Sequence, residues 1–269
     1  VGGSNNYAND PYTAVVGGMF NSASGGYGAF VGGGRNNTSG STYATTVGGY
    51  YNKATAPYTF VGGGKYNTAS ATYSGICAGT SNLASGSTHA FIGGGSSNIA
   101  SGPAAVILGG LSNTASEYGA VIGGGVLNAG TNRYSSVNSG RTNTASGSYG
   151  VIAGGTKNAA NGFGAAVSGG YQNTAGSGAV AAGVNNTASG GGSVIDGGGV
   201  IGDFTVTIAS PAVITLANHS LVANDTVRLL TTGALPTGLS TGTTYYVIST
   251  GLAENSFRLS ASLGGAAIN

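Results

Sequence analysis

The chain is short of almost everything that chemistry uses. It has no tryptophan, one cysteine, one methionine, two histidines and five prolines, and only 5% of its residues are charged. Soluble domains usually carry about 25% charge. Disorder of the usual kind joins low hydrophobicity to high charge, and a chain that is 40% hydrophobic and nearly uncharged does not fit it. Five prolines exclude collagen, which needs abundant proline beside its regular glycine. Eight basic residues and a net charge of +2 leave no electrostatic footprint for nucleic acid. No apolar run approaches the ~20 residues of a membrane span, so membrane insertion is not expected. Cys77 has no second cysteine to pair with, which leaves the redox compartment open. The sequence begins at Val1 with neither an initiator methionine nor a signal peptide, and it reads as a piece of something longer.

What is present in excess is glycine, 55 of 269 residues. A flexible linker would scatter them, but here they keep a register. Asparagines follow the glycine blocks at Asn6, Asn21, Asn37, Asn52, Asn67, Asn82, Asn98, Asn113, Asn128, Asn143, Asn158, Asn173 and Asn186, at intervals of 15 or 16 residues until a final 13. The unit is Val/Ile-Gly-Gly-Gly-x-x-Asn-Thr-Ala-Ser-Gly-x-Tyr-small-x. Val31, Val61, Ile76, Ile92, Ile122, Val137, Ile152 and Val167 open glycine blocks, as inward strand positions should. The glycines suit tight corners and close backbone approach. Asparagine tolerates left-handed backbone, and one asparagine per coil can build a ladder. Tyr12, Tyr27, Tyr43, Tyr58, Tyr73, Tyr118, Tyr134, Tyr149 and Phe163 make an aromatic stripe on one face.

Fifteen residues are too few for a helical repeat and suit one turn of a narrow parallel β-solenoid. Thirteen such coils would form an all-β rod of roughly 60 Å. Each coil encloses a Val or Ile, some alanine and at most the aromatic, a thin core for a lone chain. The expectation is that the Val/Ile and Tyr stripes meet those of partner chains, side by side.

The run Val61-Gly62-Gly63-Gly64-Lys65-Tyr66-Asn67-Thr68-Ala69-Ser70 with Tyr73, and Asn143-Thr144-Ala145-Ser146-Gly147-Ser148-Tyr149, resemble the head repeats of trimeric autotransporter adhesins, which are similar to repeats in bacteriophage tail fibres. The resemblance covers roughly residues 1–200. It implies a left-handed parallel β-roll assembled as a homotrimer.

From Asp203 glycine thins and apolar residues alternate. Phe204/Val206/Ile208, Val213–Leu216, Val227–Leu229, Tyr245–Ile248 and Phe257–Leu259 read as short strands separated by turns. Residues 1–202 therefore form the repeat domain and 203–269 a small β module. The stretches Thr231–Leu239, Gly242–Ile248, Asn255–Ser260 and Gly264–Ile268 resemble a module of phage fibres and other virion proteins. That resemblance implies a virion location, with other fibre or baseplate proteins as neighbours. The bacterial cell surface is the alternative.

Catalysis is not expected. Asp10 and Glu117 lie about seven coils apart, roughly 34 Å, whereas glycosidase carboxyl pairs stand within ~5–10 Å. Asp196 and Asp203 sit at the domain junction, where turn roles are commoner. His89 and His219 have no partners at ligand or triad spacing, so neither a metal nor a cofactor is expected. His89 falls near a tyrosine slot as structural filler, and Cys77 fills a glycine slot as a small buried or corner thiol. The Thr38, Thr68, Thr114, Thr144, Thr174 and Thr187 row is too interrupted, by Lys53, Leu83 and Ile99, for an ice-binding array.

Variation between coils concentrates in the two residues before each repeat asparagine. Phe20, Arg35, Tyr50, Tyr51, Lys65, Tyr66, Arg141, Lys157 and Tyr171 all occur there. A corner that accepts such different side chains is solvent-facing, and tyrosine beside Arg or Lys can stack on sugars or pair with acidic polysaccharide. A merely tolerant corner explains the same variation. The expected function is a structural and receptor-binding fibre segment acting by avidity, with host surface polysaccharide or protein as partner. A bacterial adhesin head and a passive spacer without any ligand are the alternatives.

Overall fold

A computed structural model describes all residues except 1, 190, 196–203, 209, 218, 220, 230, 232 and 269. The chain divides into two compact units, Val1–Gly197 and Gly198–Asn269. The boundary expected at 202/203 falls among residues 196–203 and so outside the described residues, as do Asp196 and Asp203. No helix occurs among the described residues.

The first unit is a parallel β-solenoid. Each coil contributes two two-residue strands, and like strands pair in parallel from coil to coil, giving two thirteen-stranded sheets. One sheet is built from the strands that follow the repeat asparagines, such as Thr68–Ala69 and Thr114–Ala115, and is called here the threonine sheet. The other is built from strands such as Phe60–Val61 and Val121–Ile122 and is called the valine sheet. The first residue of each strand generally faces out and the second faces in, the period of two that a pleated strand imposes.

The inward positions make the core. Val61, Ile76, Ile92, Ile107, Ile122 and Ile152 are fully buried, facing alanines such as Ala69, Ala84, Ala100 and Ala115. The Val/Ile stripe, expected to meet partner chains, is instead enclosed within its own coil. Two branched or small side chains fill the space, so the aromatic is excluded from it. Where polar residues replace the alkyl pair they bond to each other: the Ser39 hydroxyl donates to Thr46 Oγ1 at 3.1 Å, and both also reach strand carbonyls.

Glycine and asparagine close the corner before the threonine sheet. Gly64 has φ +90°, and a Cβ there would collide with the carbonyl oxygen of Gly79 in the next coil. Gly63 meets nothing, and alanine and serine stand at its equivalents Ala78 and Ser139. Asn67 is fully buried. Its backbone N–H donates to Asn52 Oδ1 at 3.0 Å, while its Nδ2 donates to the carbonyls of Gly63 at 2.9 Å and Gly79 at 2.8 Å. The same pattern recurs along the ladder, for example at Asn98, Asn113 and Asn173. A buried amide with every hydrogen bond made stabilises the corner, whereas one left unmade costs about 1–3 kcal/mol.

The second unit is a five-stranded antiparallel sheet in the order Thr205–Val206, Ile214–Thr215, Ser256–Ser260, Thr244–Ala253, Thr226–Arg228. All five expected strands are present. Ile214, Val247, Phe257 and Leu259 form its core, while Ile208 is exposed and outside any strand.

Candidate functional site

The corner carrying the variable residues is a pair of columns. The first holds Met19, Arg35, Tyr50 and Lys65 in successive coils, joined by parallel bridges that continue through Arg141 and Thr156 to Tyr171. The second holds Phe20, Asn36, Tyr51 and Tyr66 and, farther along, Lys157, all with φ between +53° and +57°. Left-handed backbone thus falls on the residue before each repeat asparagine, not on the asparagine itself. This kink turns the following asparagine inward, so its side chain serves the ladder. For bulky residues such backbone costs about 1–2 kcal/mol each. Hydrogen bonds between coils hold it, as in Tyr66 N–H to the Tyr50 carbonyl and Tyr51 N–H to the Arg35 carbonyl, at 2.9 and 3.0 Å.

Five of the nine expected contact residues come together. Tyr50 and Tyr51 meet edge to face at 4.6 Å between ring centroids, and Tyr51 stacks on Tyr66 at 5.6 Å. The Lys65 ammonium lies 4.9 Å from the Tyr66 ring centroid and 5.6 Å from that of Tyr50. Arg35 is exposed beside Tyr50. Phe20 stands two coils from Tyr51 in the same column, with Asn36 between them. Arg141, Lys157 and Tyr171 form a second, smaller group, with the Lys157 ammonium 5.7 Å from the Tyr171 ring centroid. The groups are five coils apart between Lys65 and Arg141, about 24 Å. Hydroxyl and aliphatic residues, including Thr80, Ser96, Leu111 and Val126, occupy the interval.

The opposite corner, leading into the valine sheet, displays the aromatic stripe. Tyr43, Tyr58, Tyr73 and His89 stack at 5.0–5.4 Å with interplanar angles of 13–22°. His89 is indeed a member of this column. The ladder breaks at Ala104 and resumes from Tyr118 through Tyr134 and Tyr149 to Phe163. Tyr43, Tyr58, Tyr73, Tyr134 and Tyr149 occupy the left-handed slot that Gly28, Gly119 and Gly164 fill in other coils. The Tyr27 phenol is raised above its ordinary pKa, first by its hydrogen bond with Tyr12, then by partial desolvation and by Tyr43. Desolvation, followed by Tyr118 and Tyr149, raises Tyr134.

Asp10 and His219 have structural places. The Asp10 carboxylate accepts from the backbone N–H groups of Gly25 at 2.6 Å and Gly26 at 3.3 Å, tying one coil to the next. His219 accepts the Leu221 N–H on Nδ1 and packs edge to face against Phe257. Among the described residues no group of His, Cys, Asp and Glu could hold a metal ion. Among the described residues no helix is long and apolar enough to cross a membrane. Cys77 is exposed rather than buried, on the outer face of the valine sheet.

Sequence reasoning missed that outer face. Val16, Val47, Phe60, Leu108, Val121 and Val151 point outward from it, 38–59% exposed. Only a comparison of coils at fixed register could have found them, because each two-residue strand shows just one outward residue. No family model matches the chain, and no curated protein matches it either.

Proposed function

We propose that the chain is a structural and receptor-contacting segment of a multichain fibre, binding cell-surface glycan through its basic and aromatic corner. The observation that carries this reading is the Lys65 ammonium beside the Tyr50 and Tyr66 rings, next to Arg35 and Tyr51 on an exposed corner. Tyrosine faces stack on sugar rings, and Lys or Arg pairs with carboxylate or sulfate groups of an acidic polysaccharide. One such patch binds weakly. Repetition along the rod and across copies raises binding 10²–10⁴-fold by avidity.

Resemblance of the C-terminal module to phage fibre modules favours a virion fibre over a bacterial adhesin head. A homotrimer contacting other fibre or baseplate proteins is the matching assembly. The test is binding of the 269-residue chain to an array of host surface glycans, repeated with Tyr50→Ala and Tyr51→Ala combined. Binding to acidic glycans that falls at least about tenfold in the double variant supports the reading. Silence across the array leaves a passive spacer as the better account.

A further inference from the structure

The aromatic corner holds its phenols in fixed pairs. Tyr43, Tyr58 and Tyr73, and farther along Tyr134 and Tyr149, share left-handed backbone with φ between +53° and +60°. The backbone N–H of each donates to a carbonyl of the preceding coil, as in Tyr58 to Thr42 at 2.9 Å and Tyr149 to Arg133 at 3.0 Å. Successive side chains therefore leave the solenoid in one direction, a coil apart. Ring centroids lie 5.4 Å apart for Tyr43 and Tyr58, 5.0 Å for Tyr58 and Tyr73, and 5.1 Å for Tyr134 and Tyr149. The interplanar angles are 22°, 13° and 20°. Each ring is about half exposed. Gly119 and Ala104 occupy the same slot in other coils, so closing the turn does not require tyrosine. Strained residues that the fold does not need point to a role outside folding.

We propose that these stacked pairs are sites of oxidative coupling, at which a haem peroxidase using hydrogen peroxide joins tyrosines of adjacent coils as dityrosine. Each phenol gives up one electron and its hydroxyl proton and becomes a phenoxyl radical, with spin density on the carbons ortho to oxygen. Two such radicals in contact form one bond between ortho carbons. The hydrogens on those two carbons move to the oxygens, which restores both phenols. One peroxide takes up the two electrons and two protons and leaves as two waters.

Geometry selects these pairs. Near-parallel rings bring ortho carbons together with their π orbitals facing each other. Tyr27 meets Tyr43 at 68° and Tyr118 meets Tyr134 at 77°, which sets the two π systems nearly at right angles. Tethering at one corner also replaces a chance encounter of two radicals by a contact already made, and so raises their effective concentration.

Composition favours the same chemistry. With fifteen tyrosines against one methionine, one cysteine and no tryptophan, phenols are the main sink for one-electron oxidants. His89 and Phe163 end the two ring columns, and a phenoxyl radical oxidises neither. A radical that migrates along a column thus stays among its tyrosines. The resulting bond would staple neighbouring coils at the corner that stacking alone otherwise holds.

This inference does not rest on the glycan reading, because the coupled rings lie at the other corner from Tyr50 and Lys65. Its test is treatment of the dilute 269-residue chain with a haem peroxidase and hydrogen peroxide, then denaturation, trypsin digestion and mass spectrometry. Cleavage after Arg35, Lys53, Lys65, Arg133, Arg141 and Lys157 puts the partners on different peptides. Peptide 36–53 should be joined to 54–65, with fragment ions placing the bond at Tyr43 and Tyr58, and peptide 134–141 should be joined to 142–157 through Tyr134 and Tyr149. Both joined pairs are expected from the folded chain at a yield at least about tenfold above that of the same chain in urea. In an equal mixture of ordinary and heavy-nitrogen chains the joined peptides should carry one label, since the bond forms within a chain. Tyr149→Phe keeps the ring stacked and removes only the oxidisable hydroxyl, so it should abolish the second joined pair and leave the first. Absence of both pairs, equal yields in urea, mixed labels in the main product, or survival of the second pair in Tyr149→Phe overturns the proposal.

Discussion

The two corners of each coil solve the same geometrical problem in opposite ways. Both use left-handed backbone, the asparagine corner at a glycine and again two residues later, as at Gly64 and Tyr66, and the tyrosine corner at a residue such as Tyr58. At the asparagine corner the turn is followed by a buried amide whose hydrogen bonds are all made within the solenoid, as at Asn67. At the tyrosine corner it carries an aromatic ring in many coils, and the rings of Tyr43, Tyr58 and Tyr73, and of Tyr134 and Tyr149, stack while staying about half exposed. The first corner is held by satisfied buried polarity, which tolerates no vacancy. The second accepts Tyr, His, Ala and Gly at one slot (Tyr73, His89, Ala104 and Gly119), and its energetics are those of surface stacking. The contrast assigns fold stability to one edge of the coil and leaves the other free for contact.

The sharpest way to break the contrast is to put a charge in the ladder. Asn98 is fully buried, and its Nδ2 donates to the carbonyls of Gly94 at 3.0 Å and Gly110 at 2.9 Å. Asn98→Asp would set a carboxylate against two carbonyl oxygens in a site closed to water. A loss of about 3–5 kcal/mol is expected in urea unfolding followed by circular dichroism. Next in size is Gly64→Ala, where left-handed backbone and the collision with the Gly79 carbonyl combine to a cost of about 2–4 kcal/mol. Gly63→Ala, one residue away and open to solvent, should change the midpoint by less than about 0.5 kcal/mol.

At the tyrosine corner the usual ranking of residues inverts. Tyr58→Ala removes stacking against Tyr43 and Tyr73, worth about 1–2 kcal/mol together. Tyr58→Gly loses the same contacts but relaxes the backbone at φ +58°, so it should be about 0.5–1 kcal/mol more stable than the alanine variant. The smallest effect is alkaline. Raised Tyr27 and Tyr134 phenols hold their protons in the folded chain after the unfolded chain has lost them. Their contribution is therefore intact below about pH 10 and is lost as pH rises through the raised folded values. Unfolding midpoints compared at pH 9 and pH 11 should fall more for the wild type than for Tyr27→Phe combined with Tyr134→Phe.

Much of the architecture was legible because a solenoid repeats one local solution, and an asparagine every fifteen residues marks its phase. The inward Val/Ile position, the ladder and the five strands of the second unit followed from periodicity and turn chemistry. Placement of left-handed backbone did not. Asn is the ordinary occupant of that conformation, so Asn67 drew the assignment that belongs to Tyr66. The Val/Ile stripe was given to an interface because a two-residue strand does not announce which of its residues faces out. Phe60 and Val61 are neighbours, yet Phe60 is 41% exposed and Val61 is fully buried. At the candidate site, sequence identified the residue types, while the gathering of Tyr50, Lys65 and Tyr66 depends on coils stacking at fixed register.

The central claim is that stability resides in the asparagine corner and not in the aromatic one. Urea unfolding of Asn98→Ala and Tyr58→Gly, at one chain concentration, tests it most directly. Asn98→Ala orphans the Asn113 N–H and the Gly94 carbonyl and leaves the Gly110 carbonyl with the Ser96 N–H alone, and a loss of about 2–4 kcal/mol is predicted, against about 1 kcal/mol or less for Tyr58→Gly. Equal losses, or a larger loss at Tyr58, would contradict the account.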